Sequence, residues 1–388
     1  MPVAVPLPQG FSAHVANIGI KDSTDDFVVI ATDAACPVAA VFTQSSFSGP
    51  SVVLSRRNLR AGRARAVVVV SKNANVATGP IGMANAEELV AGVATRLGCA
   101  PQEVLVASTG VIGRQYPMDQ VRAGFEAIAM PLPVLDATAV ATAMMTTDTV
   151  LKVASAQVVG STARIVGVAK GVGMIEPDMA TLITLYFTDA AVARADLDAV
   201  FRSVMDRTFN CVSVDTDTST SDTAIVLANG AAGAVDPAAF EGALYAVAES
   251  LTKQVARDGE GATKLLEVVA DGAASPEQAK RIAKAIVNSP LVKTAVHGAD
   301  PNWGRVAMAI GKASTTDEID QALVVIRFGD QEVYPAPVDE SGLDALATYM
   351  QGDDVRIHVS LGAGEATATV WGCDLSDGYI RINADYTT

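Results

Sequence analysis

Residues 170–189, KGVGMIEPDMATLITLYFTD, constrain this chain more than any other stretch. Gly171, Gly173 and Pro177 punctuate the first half as a loop. From Thr181 to Thr188 small polar and apolar residues alternate and β-formers dominate, the pattern of a half-buried strand. The change falls at Ala180–Thr181. A hydroxyl on the first residue of a strand, behind a loop that can be cut, is what an N-terminal nucleophile needs. Breaking the Ala180–Thr181 bond would give Thr181 an α-amine beside its own Oγ. Such an amine has a reference pKa of ~7.7–8.0, so a sizeable neutral fraction exists near neutral pH to act as base. By residue type alone, a threonine that merely fills a pleated surface is the commoner meaning.

The 388 residues are enough for a large core in two or three domains. Half of them are apolar and 18% charged, which fits a compact globule and excludes a disordered chain. A net charge of −15 argues against nucleic acid and favours, by steering, a cationic small molecule. Apolar runs such as Ala66–Val70 are too short to span a bilayer, so no membrane partner is expected. The start, MPVAVPLPQGF, has no basic region of the kind a signal peptide carries. Four scattered cysteines (Cys36, Cys99, Cys211, Cys373) read as buried thiols of a cytoplasmic protein. The three histidines show no ligand spacing, so no metal is expected.

Short apolar runs at Phe27–Ala31, Val38–Phe42, Ser51–Ser55, Ala66–Ser71 and Val104–Ala107 predict a sheet-rich opening to the chain. Helices are predicted over Asn85–Leu97, Met118–Ile128, Ala137–Met145, Arg194–Arg207 and Pro237–Arg257, with strands at Arg164–Ala169 and Thr223–Ala228. Ser275-Pro-Glu-Gln278 marks a helix start, with Ser as N-cap and Pro in the first position. Leu323–Phe328, Val355–Ser360, Ala366–Trp371 and Tyr379–Asn383 read as a final sheet-containing region. The expected domains are 1–192, 193–282 and 283–388.

Acyl transfer through a threonine ester requires donors aimed at a developing oxyanion. Ser108-Thr109-Gly110-Val111-Ile112-Gly113 follows a predicted strand and offers a hydroxyl and a backbone turn, or is a plain glycine turn. Lys170 is a cation at the mouth of the central loop, and Glu260 lies between two glycines in RDGEGATK, where a carboxylate can project. Asp215–Asp222 fails as a calcium loop because Thr220 and Val226 stand where Gly and Glu are needed, leaving a polar structural run. A His297–Cys211 dyad follows from residue type only. No phosphate-binding or dinucleotide fingerprint is present.

MIEPDMATLITLYFTDA, STGVIG, DGEGATK and HGADPNWGR resemble the ornithine acetyltransferase (glutamate N-acetyltransferase) family, and the resemblance covers nearly the whole chain. It implies an α/β fold, an α-β-β-α layered sandwich similar to L-aminopeptidase/D-esterase, with smaller α/β domains behind it. It implies self-cleavage between Ala180 and Thr181 into chains 1–180 and 181–388, associated as a heterotetramer or larger. The implied reaction moves acetyl from N-acetylornithine to glutamate through an ester on Thr181, without a cofactor. By the same resemblance Thr109 and Gly110 form the oxyanion hole. Thr147, Lys170, Thr181, Glu260, Asn383 and Thr388 bind substrate, with Lys170 on the α-carboxylate and Glu260 suited to the δ-ammonium of ornithine. One departure stands out. Lys72, in VSKNANV, replaces a family glycine, removing a φ-permissive residue and adding charge. It points toward a paralogue of the clavulanic-acid type as an alternative to the arginine-pathway enzyme. An amidohydrolase or aminopeptidase using water, or a silent binding protein of the same fold, are the competing readings.

Overall fold

The computed structural model describes residues 4–176 and 182–385. Its first eight strands are β1 Phe11–Ala16, β2 Phe27–Phe42, β3 Arg63–Val70, β4 Val104–Ser108, β5 Lys152–Gln157, β6 Arg164–Lys170, β7 Ile183–Ala191 and β8 Thr223–Ala234. They join in the order β4-β3-β2-β8-β7-β6-β5, with β1 also on β2. The long β2 serves two partners. Phe27–Ala31 pairs with β3, and Val38–Phe42 pairs with β8, with an irregularity between the two.

That break lets the sheet fold on itself. Alternating side chains of β2 and β3 (Val28, Ile30, Val67, Val69) meet those of β6, β7 and β8 (Val166, Leu185, Phe187, Ile225) in one buried cluster. Phe11 of β1 sits 5.4 Å from Phe187 of β7, although no strand pairing joins them. Six helices belong to this half: α1 Pro50–Leu59, α2 Gly79–Leu97, α3 Met118–Glu126, α4 Ala137–Met144, α5 Arg194–Arg207 and α6 Pro237–Arg257. The outer face of β2–β4 (Val29, Val68, Val106) packs on α2 and α3 through Leu89, Val93 and Val121. On the other outer face, Ile165, Tyr186 and Val226 pack on α5 and α6 through Phe201, Leu244 and Leu251. The order helix, sheet, sheet, helix is the layered sandwich expected.

A second sheet follows, from β9 Leu265–Ala273, β10 Val325–Phe328, β11 Gln331–Tyr334, β12 Asp354–Ser360 and β13 Ala366–Cys373, ordered β11-β10-β12-β9-β13. The remaining helices are α7 Pro276–Val287, α8 Pro290–His297, α9 Trp303–Lys312, α10 Glu340–Met350 and α11 Asp377–Asp385. Ser275 caps α7 as expected, accepting the Gln278 N–H at 3.2 Å. Strand order groups the chain differently from the expected borders. β8, beyond residue 192, lies between β2 and β7, and residue 282 falls inside α7.

Two assignments need correction. Ser51–Ser55 is helical within α1: Pro50 opens it at a first-turn position, and burial of Val52 and Leu54 overrides their sequence pattern. Tyr379–Asn383 is also helical, within α11. Ile380 and Ile382 are 67% and 40% exposed and face no sheet. Among the described residues no helix is long and apolar enough to cross a membrane.

Candidate active site

Two strand ends come together here, those of β4 and β6. Thr109 follows β4, and Lys170 is the last residue of β6. The Lys170 Nζ donates to Thr109 Oγ1 at 3.1 Å, leaving that hydroxyl free to donate its own proton. The Thr109 N–H is used by Val70 O (3.1 Å) and that of Val111 by Lys72 O (3.3 Å). Gly110 N–H, between them, has no acceptor among the described residues. Gly110 also has φ +129°, and a Cβ there would lie 2.2 Å from the Lys72 carbonyl carbon, so only glycine fits. A polarised hydroxyl and an unspent N–H on adjacent residues are two donors of the kind an oxyanion hole would need.

Lys170 is 9% exposed. Burial pushes its ammonium pKa down, against the pull of Asp148, Asp222 and Glu260. A buried ion cluster holds it in place. Asp148 Oδ1 accepts from Lys152 Nζ at 2.8 Å and from Gly171 N–H at 2.7 Å, while Oδ2 accepts from Thr146 N–H at 2.9 Å. Lys152 also donates to Asp258 Oδ2 at 2.5 Å, and Asp258 in turn accepts the N–H and hydroxyl of Thr149. Burial opposes ionisation of Asp148, yet Lys170 and Lys152 overcome it and leave its pKa at about 2. This cluster ties the turn bearing Thr147, the start of the central loop and the turn bearing Glu260 to one point.

Glu260 lies on the other side of that loop. Its N–H donates to Val172 O at 2.8 Å, and its carboxylate packs flush on Gly173, where a Cβ would meet Oε2 at 2.4 Å. Asn383 of α11 donates to Oε2 at 2.9 Å, so the tail reaches the site as expected. Burial raises the Glu260 pKa; Asn383 and Lys170 pull it back, and Asp215 adds to the rise. Ala180, Thr181 and Thr388 lie outside the described residues. Both flanks of 177–181 are described. Upstream, Asp215 accepts the N–H groups of Met174 (2.6 Å) and Ile175 (2.7 Å), and downstream Leu182 O accepts Thr223 N–H at 3.0 Å.

The Asp215–Asp222 run therefore serves as scaffolding for the central loop. No metal-holding cluster occurs among the described residues. His297 is not paired with Cys211. Its Nδ1 lies 2.7 Å from Asp374 Oδ2, and Cys211 Sγ instead donates to Asp206 O. Sequence reasoning missed Asp148, Lys152, Asp258 and Asp222. The last is 4% exposed, and its carboxylate lies beyond hydrogen-bond geometry of any partner among the described residues. Burial lifts its pKa well above the usual carboxylate range, with Thr43 and Lys170 opposing. Of these only Asp258, beside the glycine-flanked Glu260, carried a visible signal.

Residues 12–388 match the ArgJ family. The chain is 54% identical over 381 residues to arginine biosynthesis bifunctional protein ArgJ 2 of Nostoc sp., covering 98% of each. It is 54% identical over 387 residues to glutamate N-acetyltransferase Oat2 of Streptomyces clavuligerus, again covering 98% of each. A crystal structure of arginine biosynthesis bifunctional protein argJ from Bacillus halodurans is 42% identical. It covers 51% of this chain and 96% of that one, with a TM-score of 0.49. The loop-to-strand junction, the Thr109–Gly110 donors and the Glu260 turn thus sit in a chain whose likeness runs end to end: it belongs to the ArgJ family.

Proposed function

We propose that this enzyme transfers acetyl from N2-acetyl-L-ornithine to L-glutamate, by a ping-pong route through an ester on Thr181. What carries the reading is end-to-end identity of 54% with a glutamate N-acetyltransferase. The Lys170–Thr109–Gly110 donor set supports it by supplying what an acyl-transfer intermediate requires.

The chain first cuts itself between Ala180 and Thr181. The Thr181 Oγ attacks the Ala180 carbonyl, and water then hydrolyses the resulting ester, leaving a free α-amine on Thr181. In turnover that amine takes the hydroxyl proton as Oγ attacks the acetyl carbon of N-acetylornithine. Thr109 and Gly110 stabilise the tetrahedral oxyanion. The proton passes to the departing ornithine amine, and acetyl stays on Thr181. Glutamate's amine then attacks the ester, returning the proton to Thr181. Lys170 holds the α-carboxylate, Glu260 with Asn383 the side-chain ammonium of ornithine, and Thr147 and Thr388 complete the grip. The acetyl group travels on the protein, so no cofactor enters. Chains 1–180 and 181–388 stay together as a heterotetramer or larger, in the cytoplasm.

The competing hydrolase reading, with water as acceptor, is separated by one rate comparison. Deacetylation of N-acetylornithine should run well above its rate in buffer when glutamate is added, with N-acetylglutamate formed in equal amount. Equal rates with and without glutamate would make water the acceptor and overturn the transferase reading.

A further inference from the structure

Lys72 occupies a backbone conformation that disfavours any side chain but glycine's, at φ +69°. Such positions persist where the surroundings impose them and are a reason to look for function. The surroundings here are the oxyanion turn: Lys72 O accepts the Val111 N–H, and the Lys72 backbone is what excludes a side chain at Gly110. Its own side chain reaches the other way. Lys72 and Lys21 line one cavity of about 220 Å³ together with Asp22, Ser23, Thr146 and Thr147.

The two lysines are held differently. Lys21 is 8% exposed, and its Nζ is spent on Asp25 O at 2.7 Å and Ala143 O at 2.9 Å. Burial lowers its pKa to about 8, with Lys170 adding to the fall and Asp26 and Asp148 opposing it. This recess therefore lies within electrostatic range of Lys170. Lys72, by contrast, has one oppositely charged partner among the described residues, Asp22 at 3.4 Å, whose side chain is 98% exposed. An exposed pair of that kind is weak and easily exchanged for a better anion. Hydroxyls, a fixed ammonium and an exchangeable one around a small recess suit a carboxylate.

We propose that Lys72 is a specificity-determining residue that receives the side-chain carboxylate of the acceptor amino acid in the recess it shares with Lys21 and Thr147. The site is then bipolar. Glu260 and Asn383 read a cationic side chain on one side of Lys170, and Lys72 reads an anionic one on the other. The inference rests on glutamate being the acetyl acceptor, and deepens it.

The test compares glutamate with glutamine, which keeps size and hydrogen-bonding capacity but loses the charge. Wild-type kcat/KM should favour glutamate by roughly tenfold or more, the scale of one charge-assisted contact. In Lys72→Met that preference should collapse to within about threefold, because glutamate falls while glutamine does not. Lys72→Arg should retain most of it. Methionine and arginine face the same backbone strain as lysine, so both variants keep the fold's local demand unchanged. A Lys72→Met enzyme that still prefers glutamate tenfold, or that loses glutamate and glutamine equally, overturns the proposal. If wild-type enzyme shows no acetyl transfer to glutamate at all, the parent reading fails instead.

Discussion

The two ends of the candidate site are built on opposite terms. At the Lys170 end, Asp148, Lys152 and Asp258 have side chains at most 4% exposed, and the two carboxylates share the Lys152 ammonium. At the Glu260 end, the carboxylate is only partly buried and is steadied by Asn383 from α11, a helix without a single buried residue. The first end can hold what all its substrates share, an amino-acid backbone and an acetyl carbonyl. The second, under the proposed function, meets only the ornithine side chain and tolerates a looser hold. Rigidity sits where chemistry must be reproducible, and looseness where only one substrate's side chain is read.

Breaking the sealed end should have the largest effect, and it should be on stability. Lys152→Met leaves the Asp148 and Asp258 carboxylates buried without their common cation. Removing one partner of a buried ion pair costs on the order of 3–5 kcal/mol, seen as unfolding at markedly lower urea. A variant as stable as wild type would mean the cluster is not what fixes this end.

The open end should respond in rate and not in stability. Glu260→Gln should lower kcat/KM for N-acetylornithine roughly ten- to hundredfold, the scale of a charged hydrogen bond, and glutamate much less. The sign with pH follows from the raised Glu260 pKa. Its folded value lies above the ordinary 4.5, so the ionised form needed to bind an ammonium is lost as pH falls through that raised value. Its ionisation also works against the fold as pH rises through the same point, so Gln at 260 should leave the melting temperature level or slightly higher. Below the acid limb set by the Thr181 amine, wild type should thus show a further fall with N-acetylornithine that Glu260→Gln removes. An unchanged fall would place the titrating group elsewhere.

This asymmetry also explains what could be read from sequence. The glycine-flanked Glu260, the Thr109–Gly110 turn and the capped start at Ser275 are local features, each visible in a few adjacent residues. Asp148 and Asp258 lie 110 positions apart and acquire meaning only through Lys152 between them, so no local pattern announces them. Asp222 looked like one more acid in a polar run until its burial was known. The tail was misread for a related reason. Alternation of Ile380 and Ile382 signals a strand only if one face is buried, and in α11 neither is. Local chemistry was legible, whereas the sealed cluster depends on how α6 packs across β5 and β6.

Intact-mass measurement reports whether acetyl rests on Thr181 of a self-cleaved chain. Purified wild-type protein should give two masses, for 1–180 and 181–388. Incubation with N-acetylornithine alone should add one acetyl, about 42 Da, to the second chain, and glutamate should remove it; Thr181→Ala should remain one unlabelled chain. A Thr181→Ala protein that still splits at the same bond, or a wild-type chain that never carries the acetyl during turnover, would contradict the account.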